Sequence, residues 1–386
     1  MVNSNIMKID YFKPSISKNE IKSVEKVLKS GWLTSGKQSL TFEKNFSKLF
    51  KNKIYCVSVN SCTAALHLAL EAIGVKKGDE VICPTLTFTA TAEVIRYLNA
   101  KPVFVDIDLN DYNLNIDEVK KKINRKTKAI IPVHFSGRPI DISKLYKICK
   151  LRNIKIIDDA AHALPASYKS KLIGSTNFHA TAFSFYANKT ITTGEGGMLV
   201  SKDKKIIDRA KIMRLHGINK DVFNRFKVGN QKKLTYDVIA PGFKYNLTDI
   251  AASIGIQQLK KINIFQKKRK KIAEYYNQKL SKLPLILPKL DYRNNTSSWH
   301  LYIIRLSSKA KISRDELLKK MSDNKIGTSL HYKPLHTMTY WKKFIKKKEK
   351  FLNADKYFQS CISLPIYPSL KKREINYIIN TLQKLL

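Results

Sequence analysis

Cysteine is sparse in this chain and follows no pattern. Cys56, Cys62, Cys83, Cys149 and Cys361 are odd in number, scattered and without metal-ligand spacing. That excludes a disulfide framework and a zinc site, and no metal is expected; a reducing, cytoplasmic setting is. Long apolar runs are missing too. No stretch is long enough to cross a bilayer, and residues 1–14 hold no continuous apolar segment of the kind an export signal needs, so no membrane partner and no secretion are expected. There is no internal repeat, no low-complexity tract and no Gly/Ser tether, so any domains must pack directly on one another. Acidic residues are the last shortage: 30 Asp and Glu stand against 72 Lys and Arg, a formal charge of +42.

A basic excess of that size raises nucleic acid as a partner. Its distribution argues otherwise. Lysines dominate in runs such as Lys120-Lys121-Lys122, Lys267-Lys268-Arg269-Lys270-Lys271 and Lys346-Lys347-Lys348, with no aromatic residues interleaved for base stacking. Such runs read as solvated helix faces, with attraction of anionic ligands, nucleotide diphosphates included, as a by-product. A nucleic-acid-binding protein on the same fold is the remote alternative.

With 386 residues, 43% of them hydrophobic, the chain has enough apolar surface for two packed units. Between residues 54 and 201, short apolar runs at 55–59, 80–83, 102–106, 129–133, 155–158, 180–185 and 198–200 alternate with helical patterns, which predicts an α/β unit around a mostly parallel central sheet. The helical period over 63–73 closes at Gly74, and Asn115 is placed to cap a helix from Asp117. Residues 247–280 read as one nearly continuous helix capped by Thr248, bridging the two units. Beyond Pro284 a strand-like run at 300–306 and a helix over 313–320 predict a smaller α+β unit. The expected division is a large domain over 1–250, N-terminal segment included, and a small C-terminal domain over 251–386.

The chemistry centres on Asp159 and Lys189. Asp159 ends the apolar run Ile156-Ile157-Asp158-Asp159, and Lys189 follows Ala182-Phe183-Ser184-Phe185 and precedes Thr193-Gly194-Glu195-Gly196-Gly197, whose glycines let backbone approach a ligand closely. A carboxylate at a strand's carboxyl end can keep a pyridinium nitrogen protonated, and a lysine on a nearby loop can hold an aldehyde as a Schiff base, which is the layout of a pyridoxal phosphate site. Taken alone, Lys189 is one more solvated lysine and Asp159 a helix cap or ion-pair partner; the context reverses both readings. Asp158 is the structural member of the acidic pair. His162 can hydrogen-bond the ring hydroxyl, support Asp159, or be a satisfied core histidine. The run Asn60-Ser61-Cys62-Thr63-Ala64-Ala65, between strand and helix, supplies backbone donors for a phosphate, with Cys62 and Thr63 at its centre; Ser61 or Thr63 as a plain N-cap is the alternative. Ser184 can add a hydroxyl to the phosphate. Phe88 can stack on the ring or belong to the core.

The stretches 60–65, 158–163, 184–197 and 242–249 together resemble the DegT/DnrJ/EryC1/StrS family of nucleotide-sugar aminotransferases, and the likeness runs from Gly31-Trp32-Leu33-Thr34-Ser35-Gly36 to Leu364-Pro365-Ile366-Tyr367-Pro368. The resemblance implies the fold type I of pyridoxal-phosphate-dependent aminotransferases, and a homodimer with the active site at the subunit interface. It also implies that Asn246 reaches the partner's cofactor phosphate. Residues 132–139, 215–217 and 241–250 are most similar to members that aminate a UDP-4-keto-pentose, although members acting on UDP- or dTDP-4-keto-6-deoxyhexoses share these motifs. The implied reaction moves the amino group of L-glutamate to the C4 ketone of a nucleotide-linked sugar, leaving 2-oxoglutarate. Related members that dehydrate sugars carry histidine in place of the lysine, whereas this chain keeps Lys189; a dehydratase and a 3-keto-sugar aminotransferase are the near alternatives. Leu164-Pro165 stands where the family usually has glycine, and Leu247 where many relatives carry a basic residue. The run His331-Tyr332-Lys333-Pro334 matches the family's loop at the active-site mouth, so His331 and Tyr332 are sugar-nucleotide contacts or simple turn residues. Arg214 either meets the amino donor's carboxylate or is an exposed helix-end arginine. Trp299 and His300 are left to packing.

Overall fold

The apolar runs of the first half assemble into one seven-stranded sheet. A computed structural model describes residues 7–219, 236–290 and 294–386; residues 1–6 of the expected large domain lie outside the described residues. The strands are β1 (Tyr55–Val59), β2 (Glu80–Pro84), β3 (Lys101–Val105), β4 (Thr127–Ile130) and β5 (Lys155–Asp159). A short hairpin, β6 (Ser167–Tyr168) and β7 (Lys171–Leu172), precedes β8 (Ala180–Ser184) and β9 (Gly197–Ser201). The sheet order is β1-β9-β8-β5-β4-β2-β3, and β9 alone runs against the rest, paired antiparallel with β1 and β8. Helices pack on both faces, so strand positions are buried on both sides and read as continuous apolar stretches. Because all strands but β9 run the same way, the carboxyl ends of β1, β2, β5 and β8 come together at one rim, where a ligand crevice forms in sheets of this kind.

Strand alternation fixes what faces that rim. In β8 and just beyond it, Phe183 and Phe185 point to one side and pack edge-on against Phe46 and Phe42 of helix Lys37–Lys48, with ring centroids 5.3 and 5.1 Å apart. Such pairs contribute roughly 0.5–1.5 kcal/mol each beyond their buried area. Ser184, between them, points the other way.

The long helical stretch is broken once. Thr248 caps Asp249–Lys260 as expected, its hydroxyl accepting from Ala251 N at 3.3 Å, and a second helix, Ile262–Leu280, begins after Lys261. The two parts serve different cores. Ala252, Ile256, Leu259, Ile262 and Phe265 pack with the large sheet, whereas Ile272, Ala273, Tyr276 and Leu280 pack in the small unit. The change of core along this stretch falls between Phe265 and Ile272, and Ile9, near the N-terminus, also packs in the small unit, bridged to Ile326.

The small unit is an antiparallel sheet of β10 (Leu285–Ile286), β11 (Tyr302–Leu306) and β12 (Cys361–Leu364), covered by helices Arg314–Asp323 and Lys372–Leu385. Around β11 the period-2 alternation is used on both faces: Tyr302 and Ile304 enter the small core, while Leu301 and Ile303 join the core of the large unit. The strand is thus the hinge of contact between units, and it fixes the residues just before it, Trp299 and His300, against the rim of the large sheet. No helix among the described residues is long and apolar enough to cross a membrane, and they contain no cluster of potential metal ligands.

Candidate active site

Nine of the side chains singled out in the sequence line one cavity of about 430 Å³ at the rim: Cys62, Thr63, Phe88, Asp159, His162, Ser184, Lys189, His331 and Tyr332. A larger hollow of about 750 Å³, between Tyr112, Arg138, Tyr168 and Trp299, contains none of them. Chemistry, not volume, identifies the site.

Asp159 ends β5 and is buried. Its Oδ2 accepts from Thr91 Oγ1 at 2.8 Å and its Oδ1 from the Ala161 N–H at 3.1 Å. Burial raises its carboxyl above the ordinary carboxylate range, against the lowering effect of those two donors and of Lys189. No ion pair engages it among the described residues, so a buried carboxylate faces the cavity with neutral donors alone. Asp158, by contrast, is spent structurally. His134 Nδ1 accepts from Ile140 N at 3.1 Å, and His134 Nε2 lies 2.8 Å from Asp158 Oδ1.

Lys189 sits on the loop after β8, tied down by Lys189 N donating to Tyr186 O at 3.0 Å, Thr193 N to Phe185 O at 2.9 Å and Phe185 N to Gly196 O at 2.8 Å. The glycines are needed here: Gly194 adopts φ 82°, and a Cβ on Gly197 would lie 2.4 Å from the Ser61 carbonyl oxygen. Burial lowers the Lys189 amine to about 8, partly opposed by the Cys62 thiol and Asp159.

Helix Cys62–Ala72 begins at the cavity. Ser61 is its N-cap, accepting from Ala64 N at 3.1 Å, and Cys62 and Thr63 open its first turn toward the hollow, with Ser184 across from them. Burial pushes the Cys62 thiol well up, so it is no nucleophile. Over the other wall, His162 Nε2 is 3.0 Å from the Tyr332 hydroxyl, and His331 Nδ1 is 2.9 Å from Ser363 Oγ. Burial, with Lys189 and His331 nearby, holds His162 well below its usual value and so neutral; His331 falls to about 3 for the same first reason. Phe88 is 57% exposed at the mouth, its ring 5.7 Å from that of Tyr332.

Two residues lie elsewhere. Arg214 does not line this chain's cavity: its Nη1 donates to Glu43 Oε1 at 2.8 Å and to Ser58 O at 2.7 Å, a nearly buried ion pair behind β1, so it is not an exposed helix-end arginine. Asn246 donates to Ser35 Oγ at 2.8 Å and lines a separate groove of about 300 Å³ shared with Arg214. Two residues went unmarked in the sequence: Thr91, which holds Asp159, and Tyr11, 3.5 Å from His331; a third, His300, left to packing there, has its Nε2 3.4 Å from Lys189 Nζ. The hydroxyl-rich run 85–91 was the only signal for Thr91, and none marked Tyr11.

The donor set fits a phosphorylated pyridine aldehyde. A softened amine, a buried carboxylate in want of a cation and the start of a helix flank one cavity, and each matches one functional group of such a molecule.

The profile of the DegT/DnrJ/EryC1/StrS aminotransferase family matches residues 14–383. An uncharacterized protein of Methanocaldococcus jannaschii is 43% identical over 376 residues, 97% of this chain and 96% of its own. The spore coat polysaccharide biosynthesis protein SpsC of Bacillus subtilis is 38% identical over 380 residues, 98% and 97% of the two chains. Among solved structures, Spr1654 of Streptococcus pneumoniae, assigned as a sugar aminotransferase, superposes in its PMP form with a TM-score of 0.90 at 33% identity over 98% of this chain and 100% of that one, and it has been solved in a PLP form as well.

Proposed function

Because the chain belongs to the DegT/DnrJ/EryC1/StrS aminotransferase family, a family of pyridoxal-phosphate-dependent transaminases, we propose that it moves the amino group of L-glutamate to the C4 ketone of a nucleotide-linked sugar, with UDP the favoured nucleotide. The products are then 2-oxoglutarate and a 4-amino-4-deoxy sugar nucleotide. The single observation that carries the reading is that one cavity brings together a buried lysine amine, Lys189, and a buried carboxylate, Asp159, whose hydrogen bonds among the described residues come from neutral donors. The naming of SpsC for polysaccharide biosynthesis supports a sugar acceptor.

When bound, pyridoxal phosphate supplies an aldehyde to carry the amino group and a ring that takes up electrons from the substrate carbon. The chain's residues do the rest. Asp159 would hold the proton on the ring nitrogen, and Thr91 and the Ala161 N–H hold Asp159 in line. The helix opening at Cys62 and Thr63, with Ser184, binds the phosphate. Lys189 Nζ would hold the aldehyde at rest and, once displaced by the incoming amine of glutamate, would be free to accept the proton from its α-carbon and to deliver one to C4 of the sugar in the second half-reaction. Neutral His162 orients Tyr332 at the mouth, where His331 and Tyr332 meet the sugar nucleotide.

The enzyme is proposed to be a cytoplasmic homodimer, Asn246 completing the partner's phosphate site. That Asn246 lies outside its own chain's cavity supports this assignment. The test is a panel of UDP- and dTDP-linked 4-keto sugars with glutamate, read by mass spectrometry, with Lys189→Ala as control. One product carrying an amine in place of the ketone, and loss of turnover by at least about a hundredfold in the variant, are expected; no aminated product from any sugar, or an active variant, overturns the reading.

A further inference from the structure

His300 is packed where it touches the reacting amine and yet is not part of the cavity wall. Its ring is held from several directions. Trp299, just before it, is in the left-handed region at φ 52°, a conformation a bulky residue keeps only when its surroundings impose it. Arg269, fully buried, donates to the carbonyl oxygens of Trp299, His300 and Ile366 at 3.2, 3.3 and 2.7 Å, locking the backbone on which the ring is mounted. On its face lies the ring of His162, centroids 4.4 Å apart. The Nε2 edge is 3.4 Å from Lys189 Nζ, and Nδ1 at the opposite edge is buried with no hydrogen-bond partner among the described residues.

The unpartnered nitrogen decides the tautomer. A neutral imidazole carries one proton, and a buried N–H left without an acceptor costs more than a bare lone pair without a donor. Nδ1 is therefore the bare nitrogen, and the proton is on Nε2, directed at Lys189. An N–H finds an acceptor in a neutral amine and none in an ammonium. For the ring to accept from an ammonium instead, its proton would have to move to Nδ1 and be stranded there.

We propose that His300 is a positioning residue for Lys189: its Nε2–H donates to the Lys189 amine and favours the unprotonated, nucleophilic form whenever that amine is detached from the cofactor. The other groups around Lys189 divide in their effects. The Cys62 thiol and Asp159 favour the ammonium while burial opposes it, and Lys189 in turn helps to hold His162, His331 and His300 neutral. Burial and these neighbours keep His300 itself neutral, as a donor to an amine must be if it is not to protonate it. The assignment rests on Lys189 being the amine that takes the cofactor.

The test uses the full-length protein freed of cofactor. Pyridoxal phosphate is added over a range of pH, the covalent adduct is trapped with borohydride, and the rate of adduct formation at Lys189 is followed by peptide mass spectrometry. In the wild type the rate rises with pH to a midpoint at about 8. In His300→Phe, which keeps the ring's bulk and loses the donor, the midpoint moves up by about one unit, the shift equivalent to one hydrogen bond. In His300→Gln, whose amide restores an N–H, it returns to within roughly a few tenths of a unit of wild type. A merely structural role would lower the extent of capture at every pH without moving the midpoint, and a midpoint that stays or falls in His300→Phe overturns the proposal. Should that variant not fold, the nitrogen-15 spectrum of histidine-labelled wild type decides: an Nε2–H tautomer for His300 supports it, an Nδ1–H tautomer overturns it. Failure of the wild type to form an adduct at Lys189 removes the cofactor reading and this proposal with it; capture by wild type with unmoved variants removes this proposal alone.

Discussion

Lys189 has to be uncharged to attack and yet sits in a chain with 72 basic residues, and burial is what separates it from the others. Its amine is lowered from 10.5 to about 8, so the folded chain releases this proton before the unfolded chain does. Between those two pH values the unfolded state binds more protons, and the stability of the cofactor-free protein gains with rising pH; below about 8 the full cost of the buried ammonium is present. Replacing Lys189 by Met removes this contribution, so urea unfolding of the apoprotein across pH 8 to 10.5 should show a flatter upward trend in Lys189→Met than in wild type, and equal slopes would mean the amine is not perturbed. Asp159 has the opposite character, a carboxylate kept charged at a cost so that it can meet a cation. Asp159→Asn is expected to reduce turnover by at least about a hundredfold, while the melting temperature of the cofactor-free protein holds or rises, because a neutral amide replaces a buried carboxylate that no described residue engages in an ion pair. A fall in that melting temperature would give Asp159 a structural role instead.

At the scale of elements, the site is an edge property of the sheet: β5 delivers Asp159, β8 and its glycine-supported loop deliver Lys189, and the helix after β1 delivers its N-terminus. Arg214, read in the sequence as a donor-carboxylate contact or an exposed helix-end arginine, is in this chain a nearly buried ion-pair partner. It joins the helix Lys204–Met213 to β1 through Glu43 and Ser58, and its side chain is only 11% exposed. Arg214→Ala is therefore expected to cost about 3 kcal/mol in urea unfolding, since it leaves Glu43 buried and unpaired. A variant of wild-type stability with a raised KM for glutamate would restore the donor-binding role. The seven strands of the main sheet were legible because burial on both faces makes each one a short apolar run, and Thr248 and Asn115 were legible as caps because their side chains bond only local backbone. The direction of β9 was not, because an apolar run looks the same either way along the chain. Nor was the break at Lys261, where both halves keep a helical period and only the shift from one core to the other separates them.

The whole molecule raises the question of a second subunit. Asn246 and Arg214 share a groove away from the chain's own cavity, and the proposed dimer gives Asn246 a partner's phosphate to hold. Mixing Lys189→Ala with Asn246→Ala subunits tests this directly. A hybrid of the two has one site with both defects and one with neither, so equal mixing of two inactive proteins should return about a quarter of wild-type activity. No recovery after verified exchange of subunits would place Asn246 in its own chain's site or outside any site. The charge of +42 belongs to this scale as well, as a field that draws in anionic substrates without choosing among them.

The sequence by itself determined the fold class, the family likeness and nine cavity residues, because strand period, glycine placement and the spacing around Asp159 and Lys189 are local in the chain. Only the tertiary structure decided that Arg214 turns away to Glu43, that Thr91 steadies Asp159, and that His300 comes to rest against Lys189. Each of those contacts joins residues between 68 and 171 positions apart: the first two are set by how helices pack around the large sheet and the third by how the two units meet at β11, which no local pattern records.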